Sequence, residues 1–163
     1  MDIYKPEYVE KLFNRMSRTY GLVNYLSSFG FTERWRKQCV AEINWHKKPA
    51  IGYDLMSGMG ESWNLIHEAC QSPHQLVGID LSAAMNSQAH ETKKQFAKLD
   101  IVVQQQNVLE NHIPDQSADY IISTFGLKTF SEKQLKTLAT EINRILIPNG
   151  SFAFIEISKP KNK

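Results

Sequence analysis

Residues 51–61 read Ile51-Gly52-Tyr53-Asp54-Leu55-Met56-Ser57-Gly58-Met59-Gly60-Glu61, and this stretch decides the fold. It opens as a short apolar run of strand length, passes two glycines one residue apart, and meets a helical pattern at Ser62. A strand running through a glycine turn into a helix is the opening of a βα unit. Apolar runs of the same kind recur at Gln75–Asp80, 101–104, 120–123 and 151–157. Helical patterns fill the spaces between them. Residues 62–70 carry Leu65, Ile66 and Ala69 on one side, and residues 83–98 carry Met85, Ala89, Thr92 and Phe96 at helical spacing. A third helix has the stripe Leu135, Leu138, Ala139, Ile142, Ile145 and Leu146, and Ser131 with Gln134 before it has the spacing of a capping box. Such alternation with apolar strands predicts a parallel sheet covered by helices on both faces, the doubly wound (Rossmann-like) α/β class. Residues 105–118 break the pattern, being too short and polar for a helix.

Upstream of residue 50 the texture is helical. Val9, Leu12, Phe13, Met16 and Tyr20 fall at i, i+3, i+4, i+7 and i+11, and Gly21 permits a break. A second apolar patch (Leu22, Val23, Tyr25, Leu26, Phe29, Phe31) leads to Thr32, the expected N-cap of a helix carrying Trp35, Cys39 and Ile43. The expected organisation is one compact domain, with a helical segment over 1–48 and an α/β core over 49–163.

The composition agrees: 163 residues, 42% hydrophobic and 22% charged, exclude a disordered, collagen-like or disulfide-dense protein. Two cysteines, Cys39 and Cys70, form no framework, which points to a reducing compartment. No apolar run approaches the ~20 residues that span a bilayer, and the start lacks the apolar core of a signal peptide. The expected location is the cytoplasm. Residues 1–48 carry a charge of +4 and the remainder −2. That basic segment suits either a solvated helix face or peripheral contact with an anionic membrane. No stretch has the basic and aromatic density of a nucleic-acid groove.

In an open parallel sheet, ligands bind beyond the C-terminal strand ends. Gly58 and Gly60 at the first such end let the backbone approach a ligand, and Asp80 ends the next strand at the distance where a nucleotide-binding unit places its ribose-gripping carboxylate. The plainer alternatives are a tight turn for the glycines and a helix cap, shared with Ser82, for Asp80. Glu61, Ser62 and Trp63 follow Gly60, so the third glycine of a dinucleotide fingerprint is absent and pyrophosphate is disfavoured. A ligand with a base, a ribose and a small carboxylate tail fits better.

Asp54 to Glu61 resembles motif I (D/E-x-x-x-G-x-G) of class I S-adenosylmethionine (SAM) methyltransferases. Further stretches narrow the likeness. Leu12-Phe13-Asn14-Arg15-Met16, Tyr20, Asn24, Ser28-Phe29-Gly30 and Trp35 resemble the N-terminal signature of the ubiquinone/menaquinone biosynthesis C-methyltransferases, the UbiE-like family. The segment from Ser123 to Lys128 resembles that family's "SFGLRN", the one from Arg144 to Gly150 its "RVLKPGG", and Glu156-Ile157-Ser158-Lys159-Pro160 its "EFSKP". The resemblance implies SAM as cofactor and a small aromatic acceptor, first a quinol methylated on carbon. It implies that Asp54 opens motif I, that Met59 meets the methionine part of SAM, and that Asp80 holds the ribose. Asn107 and Val108 would contact the adenine, Leu81 would pack on its face, and Thr124 would stand where the family's serine ends strand four. The residues 1–48 would cap the acceptor side.

Two departures lie toward the acceptor. Lys128 and Thr129 stand where the family has arginine and asparagine, and Gly21 stands where an aspartate is common. Lys128 is the candidate catalytic group, since a lysine is a point donor that can lose its proton; the plainer alternative is a solvent-exposed lysine in a loop. These changes keep open an O- or N-methyltransferase on another small molecule. Family members also continue past "SKP" with a helix and two antiparallel strands, so the resemblance implies a C-terminally truncated form of strand order 3-2-1-4-5. Its edge, residues 151–157 from Ser151 to Ile157 with Phe152, Phe154 and Ile155, would then invite self-association, or work through a partner without catalysis. His67, Cys70 and His74 have ligand-type spacing but lack a fourth ligand, so no metal is expected. Trp35, between Arg34 and Arg36, reads either as a membrane anchor or, more simply, as packing against the sheet-facing helices.

Overall fold

The computed structural model describes residues 3–17, 31–45, 48–70, 72–96 and 99–157. Its elements in chain order are α1 (Pro6–Met16), α2 (Phe31–Ala41), β1 (Ile51–Leu55), α3 (Trp63–Ala69), β2 (Gln75–Asp80), α4 (Ala83–Lys93), β3 (Asp100–Gln105) and β4 (Ala118–Thr124). A 3-10 turn (Leu127–Thr129), α5 (Glu132–Ile145) and β5 (Leu146–Ile155) follow. The five strands form one sheet in the order β3-β2-β1-β4-β5, and every pairing is parallel. The expected doubly wound class and strand order therefore hold.

Strand alternation splits the core in two. Leu76, Ile101, Tyr120 and Ile122 face Cys39, Trp63, Ile66 and Ala89 from α2, α3 and α4. Tyr53, Val77, Ile79 and Ile121 face Leu138, Ile142 and Ile145 of α5. Gly52 is required where it stands, because the Tyr120 ring crosses the space a β-carbon would fill. The Ser131–Gln134 capping box is formed in both directions, which sets the start of α5 sharply.

Several boundaries differ from expectation. Thr32 lies inside α2 and is buried rather than preceding the helix; Ile43 lies beyond the end of α2 and is buried there. The fourth helix stops at Lys93, because Lys94, Gln95 and Phe96 tighten into turns on the Glu91, Thr92 and Lys93 carbonyls. Leu146 is extended and opens β5 instead of closing the α5 stripe, while Leu135 is exposed. Finally, β5 starts earlier than expected, at Leu146, since pairing resumes around Pro148-Asn149-Gly150 with a register shift opposite Ala118 and Tyr120, and it ends at Ile155 rather than at Ile157. Tyr20, Gly21, the Leu22–Gly30 patch, Lys98 and residues 158–163 lie outside the described residues.

Candidate functional site

The loop after β1 is built from left-handed residues: Met56 at φ 55°, Gly58 at 58° and Gly60 at 84°. Gly60 permits this without strain, and it also makes room, since a β-carbon there would lie 2.5 Å from the Trp63 indole. Trp63 is fully buried and donates its indole N–H to Asp54 Oδ2 at 3.1 Å. Asp54 is therefore a brace beneath the loop, 1% exposed, and its other oxygen, Oδ1, has no hydrogen-bond partner. Burial, then the negative charge of Glu61, pushes the Asp54 carboxyl up to about 8.

Asp80 joins two strand ends. Its Oδ2 accepts from the Gly58 amide at 2.9 Å and its Oδ1 from the Ser82 amide at 2.8 Å. Burial raises its pKa, and those amide hydrogen bonds oppose the rise. The alternative helix-cap role is divided: Ser82 is the N-cap of α4, accepting from the Met85 amide at 3.1 Å. Asn14 of α1 completes the arrangement, its Oδ1 accepting from Ser82 Oγ at 2.6 Å and the Ala84 amide at 3.1 Å. One asparagine thereby ties α1 to the start of α4.

Beyond these strand ends lies an open cleft. Gly58, Asp80, Leu81, Asn107, Val108 and Thr124 line it, as do Val9, Glu10 and Phe13 of α1, with Met56, Leu109 and Phe130. Six of the sequence-derived candidates thus come together. Asn107 also serves its own turn, Oδ1 accepting from the Leu109 amide at 3.1 Å. Thr124 Oγ1 lies 3.0 Å from Ser62 Oγ. The remaining candidates stand elsewhere. Asp54 is below the loop, and Met59 and Gly60 line a separate depression with Gln88 and Glu91. Lys128 is exposed on the 3-10 turn, where its amide donates to Glu156 and its side chain does not line the cleft; its neighbour Thr129 does.

Sequence reasoning passed over Arg36 and Glu61, which both line the cleft. Arg36 is 6% exposed, with Nη1 on Glu33 at 2.7 Å, Nη2 3.7 Å from Glu61, and its guanidinium 5.5 Å from the Phe125 ring centroid. Trp35 stacks on Phe31 and tilts against Phe125, so it belongs to this aromatic wall.

The His67, Cys70 and His74 side chains go separate ways. His67 meets Phe96 edge-on, and the Cys70 thiol donates to the Ser72 carbonyl. His74 Nδ1 faces the Ser72 carbonyl at 3.1 Å and must be the protonated nitrogen, which leaves Nε2 to accept from the Tyr120 hydroxyl at 3.0 Å.

The whole chain, residues 1–163, matches the ubiE/COQ5 methyltransferase family. The chain belongs to that family. It is similar to the demethylmenaquinone methyltransferase of Lactiplantibacillus plantarum, 29% identical over 153 residues, covering 93% of this chain and 63% of that protein. The demethylmenaquinone methyltransferase of Thermotoga maritima is also 29% identical, over 154 residues, with 94% of this chain and 63% of that protein covered. The chain thus spans less than two-thirds of the length of these relatives. Among solved structures, DhpI in complex with SAM and HEP superposes over 93% of this chain and 65% of that one, with a TM-score of 0.69 at 15% identity. That likeness is one of fold.

Proposed function

We propose that this ubiE/COQ5-family chain binds SAM in the cleft between Gly58, Asp80 and Val108 and transfers its methyl group to a small aromatic acceptor, first a demethylmenaquinol-type quinol at a ring carbon. One observation carries the reading. The Asp80 carboxylate, at the end of β2, is held 2.9 Å from the Gly58 amide at the end of β1, on the rim of a cleft with apolar walls. A nucleoside fits this arrangement: a carboxylate accepts from vicinal hydroxyls, a glycine without a β-carbon admits the ligand to the backbone, and Leu81 and Val108 offer apolar faces to a base.

Bound there, SAM supplies a methyl group on a sulfonium that an electron-rich atom displaces in line. The chain's contribution is alignment and exclusion of water, which for such a displacement supply most of the acceleration. Val9, Phe13, Met56, Leu109 and Phe130 give the cleft an apolar wall suited to an aromatic ring. Helix α1, held by Asn14, carries two of these residues, which supports its role as a cap on the acceptor side.

Lys128 favours a second reading of the acceptor. Its exposed position off the cleft leaves the family's arginine position without a cation facing the ligand, which suits an acceptor that is already nucleophilic, an oxygen or nitrogen centre. The test is transfer of labelled methyl from SAM to a soluble demethylmenaquinol analogue, with phenol and amine acceptors in parallel. Product methylated on carbon supports the first reading. Label on oxygen or nitrogen alone supports the second, and no transfer to any acceptor refutes both.

A further inference from the structure

Arg36 is the one Lys, Arg or His among the described residues lining the cleft, and its hydrogen bonding is incomplete. Glu33 takes Nη1 at 2.7 Å. The opposite edge of the guanidinium, Nε with Nη2, is the fork that grips a carboxylate with two parallel hydrogen bonds. On that edge Nε is buried with no partner, and Nη2 has only Glu61 Oε1 at 3.7 Å, beyond hydrogen-bond distance. A buried donor edge of fixed charge is costly to leave so poorly matched, unless a ligand completes it.

Glu61 explains how the edge is held in the meantime. Its Oε2 accepts from the Met59 amide at 3.0 Å and lies 2.8 Å from where a β-carbon on Gly58 would be. One carboxylate, from the loop itself, thus occupies the loop amide and neighbours the guanidinium. These are the two groups that an incoming carboxylate would seek.

We propose that the Nε/Nη2 edge of Arg36 receives the α-carboxylate of the ligand's amino-acid tail, and that Glu61 is a built-in competitor that must leave Met59 and Arg36 for the tail to seat. The assignment rests on the SAM reading of the cleft. It makes Arg36 a binding residue and Glu61 a determinant of affinity for tailed ligands only.

The experiment compares S-adenosylhomocysteine with 5′-methylthioadenosine, which keeps the nucleoside and lacks the amino-acid tail, by isothermal titration into the chain and two variants. Arg36→Met is expected to weaken S-adenosylhomocysteine at least tenfold and to leave methylthioadenosine within twofold. Glu61→Gln, which keeps an acceptor for the Met59 amide and loses the charge, is expected to tighten S-adenosylhomocysteine about threefold or more, again with methylthioadenosine within twofold. Melting curves verify that each variant is folded; should Arg36→Met not fold, the Glu61→Gln comparison decides alone. Equal effects on both ligands, or no tightening in Glu61→Gln, overturn the assignment and leave the cofactor reading intact. Failure of the unsubstituted chain to bind either ligand removes the cofactor reading, and this assignment with it.

Discussion

Replacing Asp54 by Asn should stabilise the chain in mild alkali and destabilise it in acid. The carboxyl is pushed up from an ordinary 3.8 to about 8, first by burial and then by Glu61, against the opposing indole hydrogen bond of Trp63 and the charge of Arg36. A carboxyl whose folded pKa lies above its unfolded one favours the folded state fully only below the unfolded value. That advantage is lost as pH rises through the folded pKa. At pH 8.5 the ionised, buried carboxylate costs the wild type about 5 kcal/mol relative to its protonated form, at 1.36 kcal/mol per pH unit. Asparagine keeps an acceptor for the Trp63 indole and leaves an amide N–H₂ near the space where Oδ1 has no partner, a cost of about 1–3 kcal/mol. The variant should therefore be more stable by about 2–4 kcal/mol at pH 8.5, and less stable by about 1–2 kcal/mol at pH 4. Urea denaturation of both proteins across this range measures the difference directly. A stability difference that keeps one sign at every pH would refute the reasoning.

Gly60→Ala should cost about 2 kcal/mol or more by thermal melting, since it combines a left-handed φ of 84° with a clash on the Trp63 ring. Arg144→Met removes donors to the Ile113 carbonyl (2.7 Å), Asn111 (3.0 Å) and Glu141 (2.6 Å), which together hold the segment after Val108. Its expected signature is a stability loss of about 1–3 kcal/mol with faster amide exchange over residues 107–113. Ser131→Ala breaks the capping box and should cost about 1 kcal/mol in urea denaturation.

The sheet was legible in the sequence because each strand is a short apolar run closed by glycine or polar residues, and β1 and β2 match their expected limits residue for residue. Where chain entropy and local geometry compete, reading fails. Pro148-Asn149-Gly150 has the composition of a turn, yet Asn149 takes a φ of 65° and the chain continues pairing on either side. Asp80 could be found from its distance to the glycines, because both sit at ends of adjacent parallel strands. Arg36 could not be found that way: its partner Glu61 lies across a tertiary contact, and its charged neighbours Arg34 and Lys37 make it look solvated. A weaker signal was present. Thr32, Arg36, Cys39 and Val40 fall at i, i+4, i+7 and i+8, the one buried face of α2, so Arg36 lies on the same stripe as Cys39. Asn14 was legible as part of a family signature, but its use as a tie between α1 and α4 needs the fold.

Isothermal titration of S-adenosylhomocysteine into the chain and into Asp80→Asn tests whether the strand ends at Gly58 and Asp80 form a SAM site. Asparagine retains an acceptor for one of the two backbone amides that Asp80 now serves. The expected result is saturable binding by the chain and a loss of at least tenfold in the variant, with both proteins melting cooperatively. Equal affinity in the two proteins would place the ligand away from Asp80.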